Sequence, residues 1–520
     1  MKRDILINSS PRETRVAILE DEQLVELLTD RPDARRMVGD VFLGRVDAVH
    51  PGIQAAFISI GTEKSAFLHA SDLVAPDESG EGPEDAEEET PDEDGDKRRR
   101  GRKRPEIPPI QDVVKKGQDL IVQVTKESIS TKGPRVTAQV SLAGRFLVYM
   151  PFASKVGISR KIGDRAQRAR LREQVQSVLP ENAGGVIVRT VSEDATPDNF
   201  KRELDTLMSQ WKRIMKKTKH VKAPSVLHRE TSLTRGIMRD VLSAKVERAI
   251  VDSRQLHNEI AEYLKGVAPE LIERVKLYED TVPIFDKHEI EPEIRDLFKR
   301  RCDLPSGGYL IIEPTEALVS VDVNSGRYTG KKDAEATILR TNLEAAREVA
   351  RQIRLRDVGG IIVCDFIDME SKGNRDKVLN ELRNHLTRDR ARTKAFAVSD
   401  LGLIEMTRQR VRQSHLQSMT EPCPTCHGTG RVFTPETIVR RVERSLKRVA
   451  VQGKRDALVV KVHPDVAYYV LEQEKDFVKK LEQLARGKVE LRDDPLLRPD
   501  EFKLVVKGAG RDVTEQYAIA

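Results

Sequence analysis

Apolar and polar positions over the first thirty residues alternate in short runs. ILIN, TRVAILE and QLVELLTD read as strands, with Ser9, Ser10 and Pro11 supplying a turn. Over 36–75 the strands shorten and are separated by Gly and charged turns, the texture of a small antiparallel barrel. That pattern resumes in GQDLIVQVTKE and VTAQVSLAG. Residues 145–234 mix strand (FLVYM, GGVIVRT) with polar helix (NFKRELDTLMSQWKRIMKK), and 235–300 are expected to be mainly helical, with Ile237, Val241, Leu242 and Val246 on one face. From 308 the pattern turns to strand–helix–strand. GYLIIEP and ALVSVDVN are strands, a helix is predicted over about 334–357, Gly359 and Gly360 stop it, and IIVCDFID is a strand of the buried type. After a CxxC at 423–426, Thr434-Pro435-Glu436 opens another helix. Strand LVVKVHP, helix YYVLEQEKDFVKKLEQL and strands KVEL and FKLVV then form a small α/β unit. No internal repeat is visible.

Composition changes this picture in three ways. A length of 520 residues suggests three or four domains at roughly 150 residues each. The net charge of +6 conceals twelve carboxylates in 77–96 followed by seven bases in 97–104; setting both runs aside leaves +11, so polyanions are the partner class to test first. The block itself, nearly devoid of apolar residues, is expected to be a solvated insertion. Four cysteines exclude a disulfide-stapled scaffold. No apolar run approaches the roughly 18 residues of a membrane span, and the start is too short in its apolar part for a signal peptide. A cytoplasmic location is expected.

Four groups of residues are candidates for chemistry. Asp322 and Asn324, two apart in a strand, share a face and present a carboxylate and an amide oxygen side by side. Asp365 ends the next strand, and a crossover of this length can set the two strands parallel, with both carboxylates at one rim of the sheet. Such a set suits a hard cation such as Mg²⁺. The bland alternative is that each Asp caps a strand or pairs with an arginine such as Arg356. Cys423 and Cys426 form half of a zinc site; His415 and His427 can complete it within one chain, or two chains can each donate one CxxC, and a redox pair or a tight turn is the plain alternative. On the barrel, Phe57 and Phe67, with Lys64 and His69 near them, form a stacking platform for single-stranded nucleic acid or, as is commoner for aromatics, core. Arg408, Arg410 and Arg412 either line phosphates or decorate a solvated strand.

The stretches GDVFLGRV, QAAFISIG, SLAGRFLVYMP, GISRKI, GGVIVRT, LPSGGYLIIEPTEALVSVDVNSGR, TNLEAAREVARQIRLRDVGGIIVCDFIDM, EMTRQR and CPTCHGTG occur in one order along nearly the whole chain. In these the chain resembles the ribonuclease E/G family of bacterial endoribonucleases, and it is more similar to the G type. The resemblance implies a multidomain α+β fold. An RNase H-like domain (1–35 and 235–297) would carry an inserted S1-type OB-fold barrel (36–140, with the charged insertion 77–104) and a 5′-phosphate sensor (141–234). A DNase I-like α/β catalytic domain (298–419), a zinc link (420–434) and a small α/β domain (435–520) would follow. It further implies a Mg²⁺-dependent endonuclease of single-stranded, A/U-rich RNA, leaving 5′-phosphate and 3′-hydroxyl ends, stimulated by a 5′-monophosphate, in rRNA maturation and mRNA decay. Asp322 and Asp365 would hold the metal, with Asn324 supporting Asp322. Phe57, Phe67 and Lys132 would grip RNA, and Arg160, Arg189, Thr190 and Val148 would form the sensor. Cys423 and Cys426 would share a Zn²⁺ with a second protomer, giving a dimer or tetramer. Two departures stand out: the insertion at 77–104, and Glu193 and Asp194 close to Arg189. The readings to be separated from this one are a non-catalytic OB-fold RNA-binding or ribosome-associated factor, and a scaffold.

Overall fold

The computed structural model describes residues 2–31, 37–73, 108–127, 133–159, 162–181, 183–230, 233–242, 246–326, 334–399, 401–410, 412–451 and 457–518. The charged run at 77–104, Lys132 and Arg160 lie outside the described residues. Contacts divide the chain into two units, Met1–His415 and Leu416–Ala520. The architecture is mixed α+β.

The amino-terminal alternation produces three antiparallel strands, Arg3–Ser9, Thr14–Glu20 and Gln23–Asp30. Their sheet is extended by two strands from much later in the chain, Val246–Val251 and Val275–Leu277, which run parallel to Arg3–Ser9. The region 235–300 is mainly helical as expected, through Leu233–Asp240, Arg254–Val267, Ile284–Lys287 and Ile290–Asp296, but these two strands interrupt it and remove Val246 from the expected helix face. The helix Leu233–Asp240 carries Ile237, but Val246 begins a strand. VERAIV is rich in β-branched and apolar residues, and it buries Val246, Ala249 and Val251 on one sheet face.

A closed five-strand barrel follows. Val41–His50, Ala55–Ser59, Ala66–His69, Arg135–Thr137 and Asp119–Lys126 pair in that order, and the last pairs back to the first. Phe42, Val46, Ala56, Ile58, Ala66, Leu68, Val122, Val124 and Val136 fill it. A four-strand sheet comes next, with Val148 of Leu147–Met150 opposite Ile187 of Gly185–Val188.

The sheet that matters most has six strands: Arg301–Asp303, Tyr309–Pro314, Leu318–Asn324, Gly360–Asp365, Leu403–Arg408 and Thr393–Val398, adjacent in that order. Its two central strands are parallel, joined through the 22-residue helix Ala334–Leu355. Leu310, Ile312, Val319, Val321, Val323, Ile362, Cys364, Ile404 and Met406 point to one face and pack on that helix and on Lys372–Leu386. The other face carries half-buried Ile311, Leu318, Ser320 and Val363 and an Ile361 that is 51% exposed. The helix stops at Leu355, earlier than the glycines, because Asp357 takes a left-handed conformation; Gly360 then opens the strand at φ +99°, where an added Cβ would lie 2.8 Å from the Arg410 guanidinium.

The second unit has a three-strand sheet, Leu458–Val462 between Val489–Asp493 and Phe502–Val506. Its first helix, Pro435–Val451, starts at Thr434, whose hydroxyl accepts the Thr437 N–H. The segment expected as one helix at 468–484 is two, Pro464–Gln473 and Phe477–Ala485, so that both Val470 and Phe477 reach the core. Among the described residues, no helix is long and apolar enough to cross a membrane.

Candidate active site

Asp322 and Asp365 are direct register partners on the two parallel central strands. Alternation places both on the open face, since Val321, Val323 and Cys364 are buried on the other. Asn324, next on that face, donates its side-chain N–H to Asp322 Oδ2 at 2.8 Å, so the amide oxygen is turned away and the carboxylate is held in place. Burial pushes the Asp365 carboxyl above the ordinary aspartate value, and the negative charges of Asp322 and of Asp368 push it further. Among the described residues no ion pair joins Asp322 or Asp365 to a base. Arg356 hydrogen-bonds Gln352, so the bland pairing with it is not the one formed. Two neighbouring carboxylates that meet no base among the described residues suit a hard divalent cation that keeps several waters, and among the described residues no third acid, histidine or cysteine completes a group of three with them. A shallow pocket of about 150 Å³ adjoins the pair, lined by Asp368, Met369, Arg375, Leu401 and Gly402 among others.

The alternating arginines serve structure. Arg408 is buried and bonds Asp357 and Asp389, Arg412 bonds Asp357 and Glu26, and Arg410 donates to the Gly359 carbonyl.

On the barrel, Phe57 and Phe67 are cross-strand partners with ring centroids 6.0 Å apart. Both are half-buried and absent from the barrel core, so of the two readings left open for them the core one is not the one formed. Their neighbours Ala56, Ile58, Ala66 and Leu68 take the inward positions, so the two rings must face outward. His50 meets Phe57 edge-on at 5.4 Å, and His69 stacks on Phe67 at 6.5 Å. The result is a row of four rings on the outer wall.

Arg189 donates from one nitrogen, Nη1, to both the Gly144 carbonyl and Asp240, at 2.7 and 2.6 Å. Burial opposes ionisation of Asp240, but Arg189 and Arg239 outweigh it and hold the carboxyl below its usual range. Asp240 is thus the acid that engages Arg189, while Glu193 contributes its backbone carbonyl to Arg170. Thr190 begins a short 3-10 turn immediately after Arg189, and Val148 lies on the strand beside Gly185–Val188.

At the CxxC, the Cys426 and Thr425 backbone N–H groups hold the Cys423 thiol below its usual value. The Gly430 N–H donates to Cys426 Sγ at 3.3 Å, and His427, Gly428 and Gly430 adopt positive φ. Backbone N–H groups aimed at sulfur favour thiolate and therefore metal. His415 bonds the Leu27 carbonyl and His427 contacts Arg498. Among the described residues no cluster of three potential ligands forms around the cysteines, so the one-chain completion is not assembled.

A family model described as the Ribonuclease E/G family matches residues 141–411, more than half of the chain. The chain belongs to the ribonuclease E/G family. A second model, the RNase E/G thioredoxin-like domain, matches 422–507. The chain is 37% identical over 506 residues to Ribonuclease G of Salmonella typhimurium, covering 97% of this chain and 100% of that protein. It is 36% identical to Ribonuclease G of Haemophilus influenzae, over 97% of this chain and 99% of that protein. Ribonuclease E of Synechocystis is 36% identical over 80% of this chain and 58% of its own length.

The first ribonuclease E/G match spans Asp322, Asn324 and Asp365 together with Val148, Arg189 and Thr190. The second spans both cysteines of the CxxC. Sequence reasoning missed three residues that the fold brings to these places. Asp368 stood within the quoted DFIDM and carried its own signal, an acid three positions after Asp365. His50 and Asp240 carried none, because only strand pairing and a contact 51 residues away reveal them.

Proposed function

We propose that the acid pair Asp322 and Asp365 is the cutting site of a single-strand-specific endoribonuclease. Membership in the ribonuclease E/G family makes the chain an endoribonuclease, a hydrolase acting on RNA, with a role in RNA processing. The observation that carries the site is the parallel register that seats Asp322 beside Asp365, with Asn324 bonded to the first. We assign Mg²⁺ to the pair. When bound it would activate a water and offset charge on the phosphoryl group. The chain's own residues supply the rest. Asp322 and Asp365 concentrate negative charge for the cation, Asn324 fixes the orientation of Asp322, and the open sheet face leaves room for a phosphodiester strand.

The reading extends to the whole chain. The barrel, of the S1 type, grips single-stranded A/U-rich RNA through Phe57, Phe67 and Lys132. Arg160, Arg189, Thr190 and Val148 read a 5′-monophosphate, whose dianion matches a guanidinium fork and a hydroxyl. The two parts of the amino-terminal sheet form an RNase H-like domain, the six-strand sheet a DNase I-like one, and Cys423 and Cys426 share Zn²⁺ across a homodimer. The products carry 5′-phosphate and 3′-hydroxyl ends, and the substrates are rRNA precursors and mRNA in the cytoplasm.

The outward aromatic row supports RNA binding by the barrel apart from the cutting site. One experiment tests the assignment of the acid pair. Purified protein with Mg²⁺ is expected to cut a 5′-monophosphorylated single strand, and Asp322→Asn is expected to abolish cutting while leaving RNA affinity within about twofold. Cutting that survives Asp322→Asn would remove the assignment of the site.

A further inference from the structure

The open face of the six-strand sheet carries more than the acids. One row of register partners crosses it: Arg301, Ile311, Asp322, Asp365 and Leu403. The adjoining row sets Tyr309 directly opposite Asn324. Directly opposed residues of an antiparallel pair project to the same face, about 5 Å apart at Cβ. The Tyr309 ring therefore stands on the same face as Asp322 and Asn324, one strand away. The Arg301 guanidinium lies over that ring, 3.9 Å from its centroid, and is itself steadied by Asp303 at 2.8 Å. Tyr309 is half-buried and Arg301 exposed, so neither is needed to fill the core. Gly326 has φ +62°, and a Cβ there would lie 2.2 Å from the Gly307 carbonyl oxygen, so the backbones beyond Tyr309 and Asn324 approach closely and need glycine there.

A supported aromatic face beside a phosphodiester-cutting site has one chemical use. It offers a flat π surface with a positive charge behind it, at a spot where a strand bound over the acids must pass. We propose that Tyr309, braced by Arg301, stacks the base of a nucleotide adjoining the scissile phosphate and so sets the position of the cut. This rests on the assignment of Asp322 and Asp365 as the cutting site. Stacking is tolerant of base identity, because every base has a π face. Tyr309 thus positions the strand at the acid pair, while affinity for the rest of the strand comes from elsewhere.

The test uses the full chain, Mg²⁺ and a short single-stranded RNA with one defined cut. Tyr309→Ala is expected to lower kcat/KM about tenfold, and Tyr309→Phe, which keeps the ring, to stay within about twofold. An abasic nucleotide is then moved through the positions flanking the cut. At one position it is expected to slow the unaltered protein about tenfold and to slow Tyr309→Ala no further. A purely structural role for Tyr309 would not abolish a substrate penalty. Unchanged kcat/KM in Tyr309→Ala, or an abasic penalty that persists in full in that variant at every position, would overturn the inference. Asp322→Asn run in parallel keeps the two claims apart. Cutting that survives Asp322→Asn removes the assignment of the site, whereas loss of cutting there with a silent Tyr309→Ala removes only the role of Tyr309.

Discussion

At the scale of single residues, the two faces of a strand decide what each side chain can do. Phe57 and Phe67 left two readings open in the sequence, a stacking platform for nucleic acid or core, the commoner place for aromatics in alternating strands. The barrel is instead filled by Ala56, Ile58, Ala66 and Leu68, which take the inward positions on those same strands. Two phenyl rings flanked by two imidazoles are left outside. Removing an outward ring costs the fold little, and base stacking is worth about 1–3 kcal/mol per base. Phe57→Ala and Phe67→Ala are each expected to weaken binding of a single-stranded RNA about tenfold, with the thermal midpoint shifted by no more than a few degrees. Fluorescence anisotropy and a melting curve on the same samples check both halves; loss of stability in proportion to affinity would return the rings to the core. The acid pair was legible for the opposite reason. Val319, Val321 and Val323 alternate so regularly that Asp322 and Asn324 could lie only on the other face.

At the scale of elements, local pattern revealed what is held together by nearby partners and missed what is held by distant ones. The long helix and its two strands were readable because the crossover is self-contained. Val246–Val251 was not, since its pairing partner Arg3–Ser9 lies more than two hundred residues earlier and the flanking periodicity resembles a helix. The same distance conceals how the crossover helix Ala334–Leu355 is fastened. Arg354, at its last turn, reaches Glu20 at 3.2 Å, and Arg3 reaches the same carboxylate at 2.6 Å. Both Glu20 and Arg354 are buried. Burial raises the Glu20 carboxyl, but the two guanidinium groups outweigh it and hold it below the ordinary glutamate value. A carboxylate depressed in the folded state adds stability above its unfolded pKa, and that stability is lost as pH falls through the folded one. Glu20→Gln leaves buried guanidinium charge uncompensated and is expected to cost about 3 kcal/mol at pH 7. The gap between variant and unaltered protein should shrink as pH drops below the ordinary glutamate range, because the unaltered side chain then becomes neutral too. Urea melts at pH 7 and at a series of pH values stepped down below 4 measure this, and a gap that stays constant down the whole series would rule out the ion pair as the source.

At the scale of the whole molecule, the CxxC poses a question that one chain does not answer. Zinc in a structural site takes four ligands, and Cys423 and Cys426 supply two. The local fold is already prepared for them. Backbone N–H groups lower the Cys423 thiol, another reaches Cys426 Sγ, and three residues in succession or nearly so accept positive φ to wrap the turn. The histidines that sequence spacing offered are engaged elsewhere, His415 with a buried carbonyl and His427 with Arg498. A second copy of the same knuckle would provide the missing pair with the same chemistry, in a self-complementary arrangement. Purified protein is therefore expected to contain about one zinc per two chains and to elute as a dimer or larger. Cys423→Ser removes one thiolate from each chain, and a site left with two sulfurs in four positions loses most of its affinity. The variant should elute as a monomer without zinc, and chelation of the unaltered protein should reach the same state reversibly. The exposed position of Cys423 means that the substitution leaves the core of the second unit intact, so its circular dichroism should be unchanged. An unchanged elution volume with no bound zinc in the unaltered protein would reduce the CxxC to a tight turn.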